Sequence, residues 1–254
     1  MRSRRRSGTR KRITKVSRRE FLDRRWQYRP GEHATFIGKT QSGKTTLAFE
    51  LLDKTTTPDL PGIVLVMKPK DRTPATWTKR LGYQTVRTWP PTIPPGTRWA
   101  PRKVRGYTLW PKLGDIGKDK DVLQTQFRLA MAESYRQSSR PRRGQDRIIF
   151  ADEVVGISRE LKLAGELDEI WMRGSGMGLG LWAACQRPFT APLNAYEQST
   201  HLFLWRSTDQ RNRRRFAEIG GIDPELIDRV VNQLEGHDCM YVRRTDYTTC
   251  IIGS

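Results

Sequence analysis

The stretch that decides the fold of this 254-residue chain is Gly38-Lys39-Thr40-Gln41-Ser42-Gly43-Lys44-Thr45. It fits the pattern G-x-x-x-x-G-K-S/T at every fixed position. A short β-like run at residues 33–37 precedes it, and a helix-like segment at residues 45–53 follows it. Glycines let backbone N–H groups turn inward around an anion, and the start of the helix adds its dipole. The pattern therefore predicts a phosphate-binding loop (P-loop).

The side chains of this loop indicate what it binds. Lys44 is expected to reach the β- and γ-phosphates of ATP, and the Thr45 hydroxyl is expected to ligate Mg²⁺. The expected nucleotide-binding residues are Gly38, Lys39, Thr40, Gln41, Ser42, Gly43, Lys44, Thr45 and Thr46.

About a hundred residues downstream, an apolar run at residues 148–151 ends in Asp152 and Glu153. A carboxylate at the carboxyl end of a strand beside a P-loop is where Mg²⁺ needs its second protein contact. We assign Asp152 to Mg²⁺, largely through water, and expect Glu153 to polarise the attacking water. Alone, the same pattern also fits a surface acid pair that follows a core strand.

A third segment contains Arg173, a glycine-rich turn, an apolar strand at residues 179–185 and then Gln186. If that strand lies next to the P-loop strand, the Gln186 amide can hydrogen-bond the γ-phosphate or the lytic water. Arg173 is expected at the mouth of the same sheet edge, where it can serve a neighbouring subunit's ATP as an arginine finger. The alternatives are a strand-end amide that satisfies a loop and an ordinary solvated cation at a helix end.

Apolar runs that alternate with helical patterns predict an α/β fold of three layers, with a mainly parallel sheet between helices, like RecA and other P-loop NTPases. We expect two or three short strands and loops in residues 70–120, a helix at residues 208–219, and a terminal hairpin at residues 239–252. No stretch approaches the ~18 consecutive apolar residues of a membrane span. The three cysteines form no paired framework. We therefore expect a cytoplasmic protein.

Charge is concentrated at the beginning of the chain. The net charge is +20, and residues 1–29 hold thirteen Lys or Arg and two acids. We expect residues 1–29 to form a basic, largely flexible arm and residues 30–254 to form the ATPase domain. Such an arm either binds nucleic acid or only solubilises the protein, and basicity by itself also suits ribosomal and membrane-surface proteins.

The order of these motifs resembles the FtsK–HerA superfamily of ring-forming DNA pumps. The resemblance includes the segment Ala184-Cys185-Gln186-Arg187-Pro188, which in that family usually reads Ala-Thr-Gln-Arg-Pro, and it extends over about residues 31–250. The compact size is most similar to the viral genome-packaging branch. One position differs, because Lys68 stands where the family often has an acid.

The resemblance implies an ATP-driven translocase of double-stranded DNA that forms a homo-oligomeric ring, a hexamer or a pentamer. In a virus it would act in the host cytoplasm or with the virion, at a capsid portal or vertex. A HerA-like or coupling-type ATPase of plasmid transfer shares the same chemistry, and a non-motor, nucleotide-switched DNA-binding protein is a third reading. Basic stretches at residues 98–105, 140–147 and 206–215 are candidates for contact with DNA.

Overall fold

The computed structural model describes residues 13–92, 104–115, 118–140, 145–209, 211, 215 and 222–253. The strands of this part are β1 (Lys15–Ser17), β2 (Ala34–Ile37), β3 (Gly62–Leu65), β4 (Gln84–Val86), β5 (Gly106–Leu109), β6 (Arg147–Ala151), β7 (Leu179–Cys185), β8 (His201–Trp205), β9 (Cys239–Arg243) and β10 (Thr248–Gly253). The α-helices are α1 (Arg18–Glu20), α2 (Lys44–Thr55), α3 (Arg72–Leu81), α4 (Asp119–Ser138), α5 (Ala164–Arg173), α6 (Asn194–Glu197) and α7 (Pro224–Gln233).

All ten strands belong to one sheet, in the order β1-β10-β9-β8-β2-β7-β6-β3-β5-β4. Within the described ranges every pairing is parallel except the two that β9 makes with β8 and β10. The central strands β2, β3, β7 and β8 are buried along their whole length, because helices cover both faces of a parallel sheet. Two hydrophobic clusters, one on each face, form the core. The predicted α/β fold with a mainly parallel sheet is confirmed.

The beginning of the chain departs from the prediction. Residues 13–29 are part of the domain, because β1 pairs with β10 at the sheet edge and the Phe21 side chain is fully buried. The Phe21 ring meets the Tyr241 ring edge-on, with 4.7 Å between their centroids. The boundary predicted at residue 29 is therefore wrong for residues 13–29, since a few apolar side chains anchor an otherwise basic segment. Residues 1–12 lie outside the described residues.

The segment at residues 70–120 contains a helix that the sequence prediction missed. The Asp71 carboxylate caps the start of α3 by accepting a hydrogen bond from the Thr73 N–H at 3.0 Å. Gly82 ends the helix in the left-handed conformation, with φ of 66°. The expectation of strands and loops alone is wrong here, because cap residues at both ends outweigh a proline in the first turn.

Most of the other elements agree with the sequence pattern. The strands β6 and β7 and the hairpin β9–β10 lie where the sequence analysis predicted them. The helix expected at residues 208–219 lies largely outside the described residues. In the part of the chain that the structure describes, no helix is both long enough and apolar enough to cross a lipid bilayer.

Candidate nucleotide-binding site

Three neighbouring strands end at the loop that follows β2. The sheet order β2-β7-β6 places β7 directly beside β2, with Ile37 opposite Cys185. Gln186 follows β7, and Asp152 follows β6, the next strand along. The carboxyl ends of parallel strands form one edge of the sheet, which is where ligands bind in open α/β folds. The predicted neighbourhood of the P-loop strand and the Gln186 strand is thus present.

The two fixed glycines of the P-loop are needed for different reasons. Gly43 has φ of 95°, in the left-handed region that side chains rarely adopt, and it begins α2. At Gly38 a Cβ atom would lie 2.5 Å from the Cβ of Trp205, the last residue of β8. One glycine therefore shapes the turn, and the other lets the loop pack against the neighbouring strand.

The loop forms one wall of a cavity of about 220 Å³. The residues that line it are Thr40, Gln41, Gly43, Lys44, Thr45, Thr46, Lys68, Asp71, Thr73, Asp152, Glu153 and Gln186. Of the nine predicted nucleotide-binding residues, Gly38, Lys39 and Ser42 do not line it. The P-loop, the two acids Asp152 and Glu153 and the Gln186 amide therefore line the same cavity.

Lys44 is held inside the loop before any phosphate arrives. Its side chain is buried, and Nζ donates a hydrogen bond to the Lys39 carbonyl at 2.8 Å. Burial lowers the pKa of Lys44, and the nearby Asp152 carboxylate opposes that change. A buried ammonium is well matched to an incoming phosphate, because the phosphate supplies the charge and the acceptors that burial removes from water.

Thr45 and Asp152 form the second feature of the site. Thr45 Oγ1 donates to Asp152 Oδ1 at 2.7 Å. Burial raises the pKa of Asp152 to about 6, and the Thr45 hydrogen bond opposes the shift. A hydroxyl and a carboxylate are hard oxygen ligands, and they meet at the mouth of the phosphate loop. The pair thus supplies the kind of donor atoms that a Mg²⁺ ion would need.

Glu153 and Gln186 are joined on the other side of the cavity. Gln186 Nε2 donates to Glu153 Oε1 at 3.2 Å, and Thr40 Oγ1 donates to Gln186 Oε1 at 3.1 Å. The amide therefore connects the P-loop with the carboxylate predicted to polarise water. Thr40, Gln186 and Glu153 form a hydrogen-bonded chain across the cavity.

The sequence analysis assigned no role to Lys68, yet this residue lies in the same cavity. Its Nζ is 3.4 Å from Glu153 Oε1 and 3.6 Å from Asp71 Oδ2. Partial burial would lower the pKa of Lys68, but the Glu153 and Asp71 carboxylates outweigh it and raise the pKa. The sequence contained a hint of this role, because Lys68 follows a buried strand at a position where the family it resembles often has an acid.

Arg173 lies elsewhere. It ends α5, and the next residue accepts a hydrogen bond from the N–H of Leu179, the first residue of β7. Arg173 is therefore at the amino end of β7, whereas the cavity is at the carboxyl end. Its guanidinium is exposed and pairs with Glu169 at 2.7 Å. The expectation that Arg173 shares the sheet edge of Gln186 is wrong, because the whole of β7 separates them.

The structure describes only part of each of the three basic stretches. Residues 98–103, 141–144, 210 and 212–214 lie outside the described residues. Arg105 packs inward, where its guanidinium bonds the Asp53 carboxylate and backbone. Arg105 therefore stabilises the fold, and contact with DNA through the other two stretches stays a hypothesis.

Comparison with solved structures reveals several similar folds. The genome packaging NTPase B204 of Sulfolobus turreted icosahedral virus 2, in complex with AMP, matches with a TM-score of 0.61 and 12% identity, over 89% of this chain and 98% of that one. VirB4 of Thermoanaerobacter pseudethanolicus matches with a TM-score of 0.63 and 10% identity, over 87% and 88%. The pCW3 conjugation coupling protein TcpA, bound to ATPgS, matches with a TM-score of 0.52 and 12% identity, over 87% and 59%.

The comparisons by sequence found no relative of this chain. No protein-family model matches the chain, and no curated protein matches it. The solved structures thus agree with this chain in fold while they differ from it at most positions. The chain therefore shares the α/β P-loop NTPase fold of these solved structures, as its motifs predicted.

Proposed function

We propose that the chain is an ATPase that moves double-stranded DNA as a ring-forming homo-oligomer, in the packaging of a viral genome. The observation that supports it best is the joint placement of Lys44, Glu153 and Gln186 around one cavity. A phosphate-binding ammonium alone would serve any nucleotide-binding protein. A carboxylate held 3.2 Å from a strand-end amide is what hydrolysis additionally needs.

In this proposal each residue has a distinct task. The loop and Lys44 bind the phosphates, and Thr45 with Asp152 would hold Mg²⁺, which would neutralise charge on them. Glu153 orients and polarises the water that attacks the γ-phosphate. Gln186 hydrogen-bonds the γ-phosphate or that water, and so reports whether ATP is present. Arg173 acts as an arginine finger in the site of a neighbouring subunit, after it leaves Glu169.

The packaging role rests on the fold shared with B204, which is named a genome packaging NTPase. Under this proposal the ring is a hexamer or a pentamer, works in the cytoplasm, and docks on a capsid portal or vertex. The net charge of +20 suits a DNA partner that is gripped through its phosphates without regard to sequence.

A second candidate is an ATPase of plasmid transfer or DNA processing. It is favoured by the folds shared with VirB4 and with TcpA, which is named a conjugation coupling protein. A third candidate, a nucleotide-switched DNA-binding protein that is not a motor, is disfavoured, because a switch needs no water-polarising acid joined to an amide. Binding to a capsid portal protein rather than to a relaxase would separate the first two.

One experiment tests the core of the proposal. ATP hydrolysis is measured with and without double-stranded DNA, and particle mass is measured in the same solutions. We expect hydrolysis that DNA stimulates and a particle of five or six chains. A monomer that hydrolyses ATP at full rate and ignores DNA would contradict both the motor and the ring.

A further inference from the structure

A second cavity lies on the same edge of the sheet as the nucleotide site. It has a volume of about 500 Å³ and is lined by Pro69, Lys70, Asp71, Arg72, Ala75, Arg87 and Trp110. These residues follow the carboxyl ends of β3, β4 and β5, which are neighbours in the sheet. We name it the Trp110 pocket.

The charge of the Trp110 pocket favours an anion. Lys70, Arg72 and Arg87 contribute three positive charges, and Asp71 contributes one negative charge. The Asp71 carboxylate is already engaged by the Thr73 N–H and by Lys68. Within the part of the chain that the structure describes, neither Lys70 nor Arg72 forms an ion pair. Two exposed cations without a carboxylate partner are thus left for a ligand.

The pocket is also connected to the nucleotide site by hydrogen bonds. Arg87 Nη1 donates to the Trp110 carbonyl, and Trp110 Nε1 donates to the Lys68 carbonyl, each at 2.7 Å. The Lys68 ammonium then contacts the Glu153 carboxylate at 3.4 Å. The short segment from Lys68 to Arg72 separates the two cavities, so that Lys68 lines the nucleotide cavity and Arg72 lines the Trp110 pocket.

We propose that the Trp110 pocket binds backbone phosphates of DNA and that Trp110 and Lys68 transmit this contact to Glu153. The inference rests on the proposed function, since it places the DNA contact of the same motor. Cations on a concave surface match a phosphodiester backbone and carry no base readout, which is what movement along any sequence requires. Displacement of Lys68 by a bound strand changes the ion pair of the carboxylate that polarises water.

The first test removes the three cations in the full-length protein, as Lys70→Ala/Arg72→Ala/Arg87→Ala. Binding to a double-stranded oligonucleotide is measured against salt, and each lost phosphate contact lowers the log–log slope by about 0.9. We expect a smaller slope, weaker binding and loss of DNA-stimulated hydrolysis, with basal hydrolysis like the parent's. The matched control, Arg24→Ala/Lys79→Ala/Arg136→Ala, removes three exposed cations outside both cavities and should behave as the parent does.

The outcomes separate this inference from the proposed function. If the triple variant binds DNA with the parent's slope and is stimulated as the parent is, the inference is overturned and the motor is not. If the parent itself neither binds DNA nor responds to it, both are overturned. If the variant loses affinity only for inorganic tripolyphosphate, the pocket takes a free polyphosphate and the DNA assignment is overturned.

The second test concerns transmission. Trp110→Phe keeps an aromatic wall but removes the N–H that holds the Lys68 carbonyl. We expect DNA affinity like the parent's and reduced stimulation of hydrolysis. Unchanged stimulation would refute the connection through Lys68, and so would a loss of stimulation that is no larger than the loss of DNA affinity.

Discussion

The charged residues at the two edges of the sheet differ in how firmly the structure holds them and in how exposed they are. At the carboxyl edge, Lys44, Asp152 and Glu153 are held by hydrogen bonds and face one cavity. At the amino edge, the Arg173 guanidinium is solvent-exposed and pairs with Glu169 of its own helix. Strands rise ~3.3 Å per residue, so the seven residues of β7 put about 20 Å between these edges. Groups that hydrogen bonds hold in place suit hydrolysis of ATP in the subunit's own site, whereas an exposed cation suits action on the ATP of a neighbouring subunit.

The largest effect is expected from Lys44→Ala at the carboxyl edge. The variant loses the buried ammonium that binds the phosphates, so ATP binding and hydrolysis should fall below detection. Nucleotide titration and phosphate release measure this. Lys54→Ala removes an exposed lysine of the same helix and is the control. Normal hydrolysis by Lys44→Ala would place the nucleotide elsewhere.

Arg173→Ala tests the amino edge, with an expected loss of turnover of ~10³-fold and nearly normal ATP binding. The decisive experiment mixes Arg173→Ala chains with Lys44→Ala chains. An interface should regain hydrolysis where the intact nucleotide site of an Arg173→Ala chain meets the intact Arg173 of a Lys44→Ala chain. Arg128→Ala, which removes another exposed arginine paired within the chain, is the control. No recovery in rings shown to be mixed would remove Arg173 from the neighbour's site.

Glu153→Gln is expected to lower kcat by about 10²-fold, since a neutral amide cannot polarise water as a carboxylate does. ATP binding should persist, because Lys44 and Thr45 are untouched. Single-turnover hydrolysis and nucleotide affinity are measured side by side, with Glu166→Gln as control. Parent-like turnover would show that Glu153 is not the polarising group.

The smallest effect is expected from Lys68→Ala. Its ion pair with Glu153 is about half exposed, and such pairs contribute ~1 kcal/mol or less, or about fivefold in rate. We expect a modest loss of kcat, unchanged thermal stability, and recovery in Lys68→Arg. A loss as large as that of Glu153→Gln would give Lys68 a direct contact with the reacting phosphate.

The sequence predicted best what is local and strongly patterned. The runs that became β6, β7 and β8 are continuous and apolar because the strands are buried on both faces. The P-loop motif likewise fixed its own conformation, since Gly43 must take a positive φ. The sequence prediction missed α3, because Thr and Pro in its first turn obscured the caps at Asp71 and Gly82.

The limits of the prediction appear where distant segments meet. The basic charge of residues 13–29 predicted a flexible arm. The Phe21 side chain is nevertheless buried against Tyr241, which lies more than two hundred positions later in the chain. A count of basic residues cannot register that contact. Lys68 had no assigned role, because its partner Glu153 comes from a different strand.

The sequence by itself predicted a phosphate-binding loop at residues 38–45, located the buried strands, and showed that Glu153 and Gln186 each follow a strand. Only the tertiary structure decided that these ends meet in one cavity and that Arg173, nearer to Gln186 in sequence than Glu153 is, lies at the opposite edge. The physical reason is that a strand moves the chain straight across the sheet. Residues at its two ends are separated by its full length, whereas residues after parallel strands are brought together by the pairing of those strands.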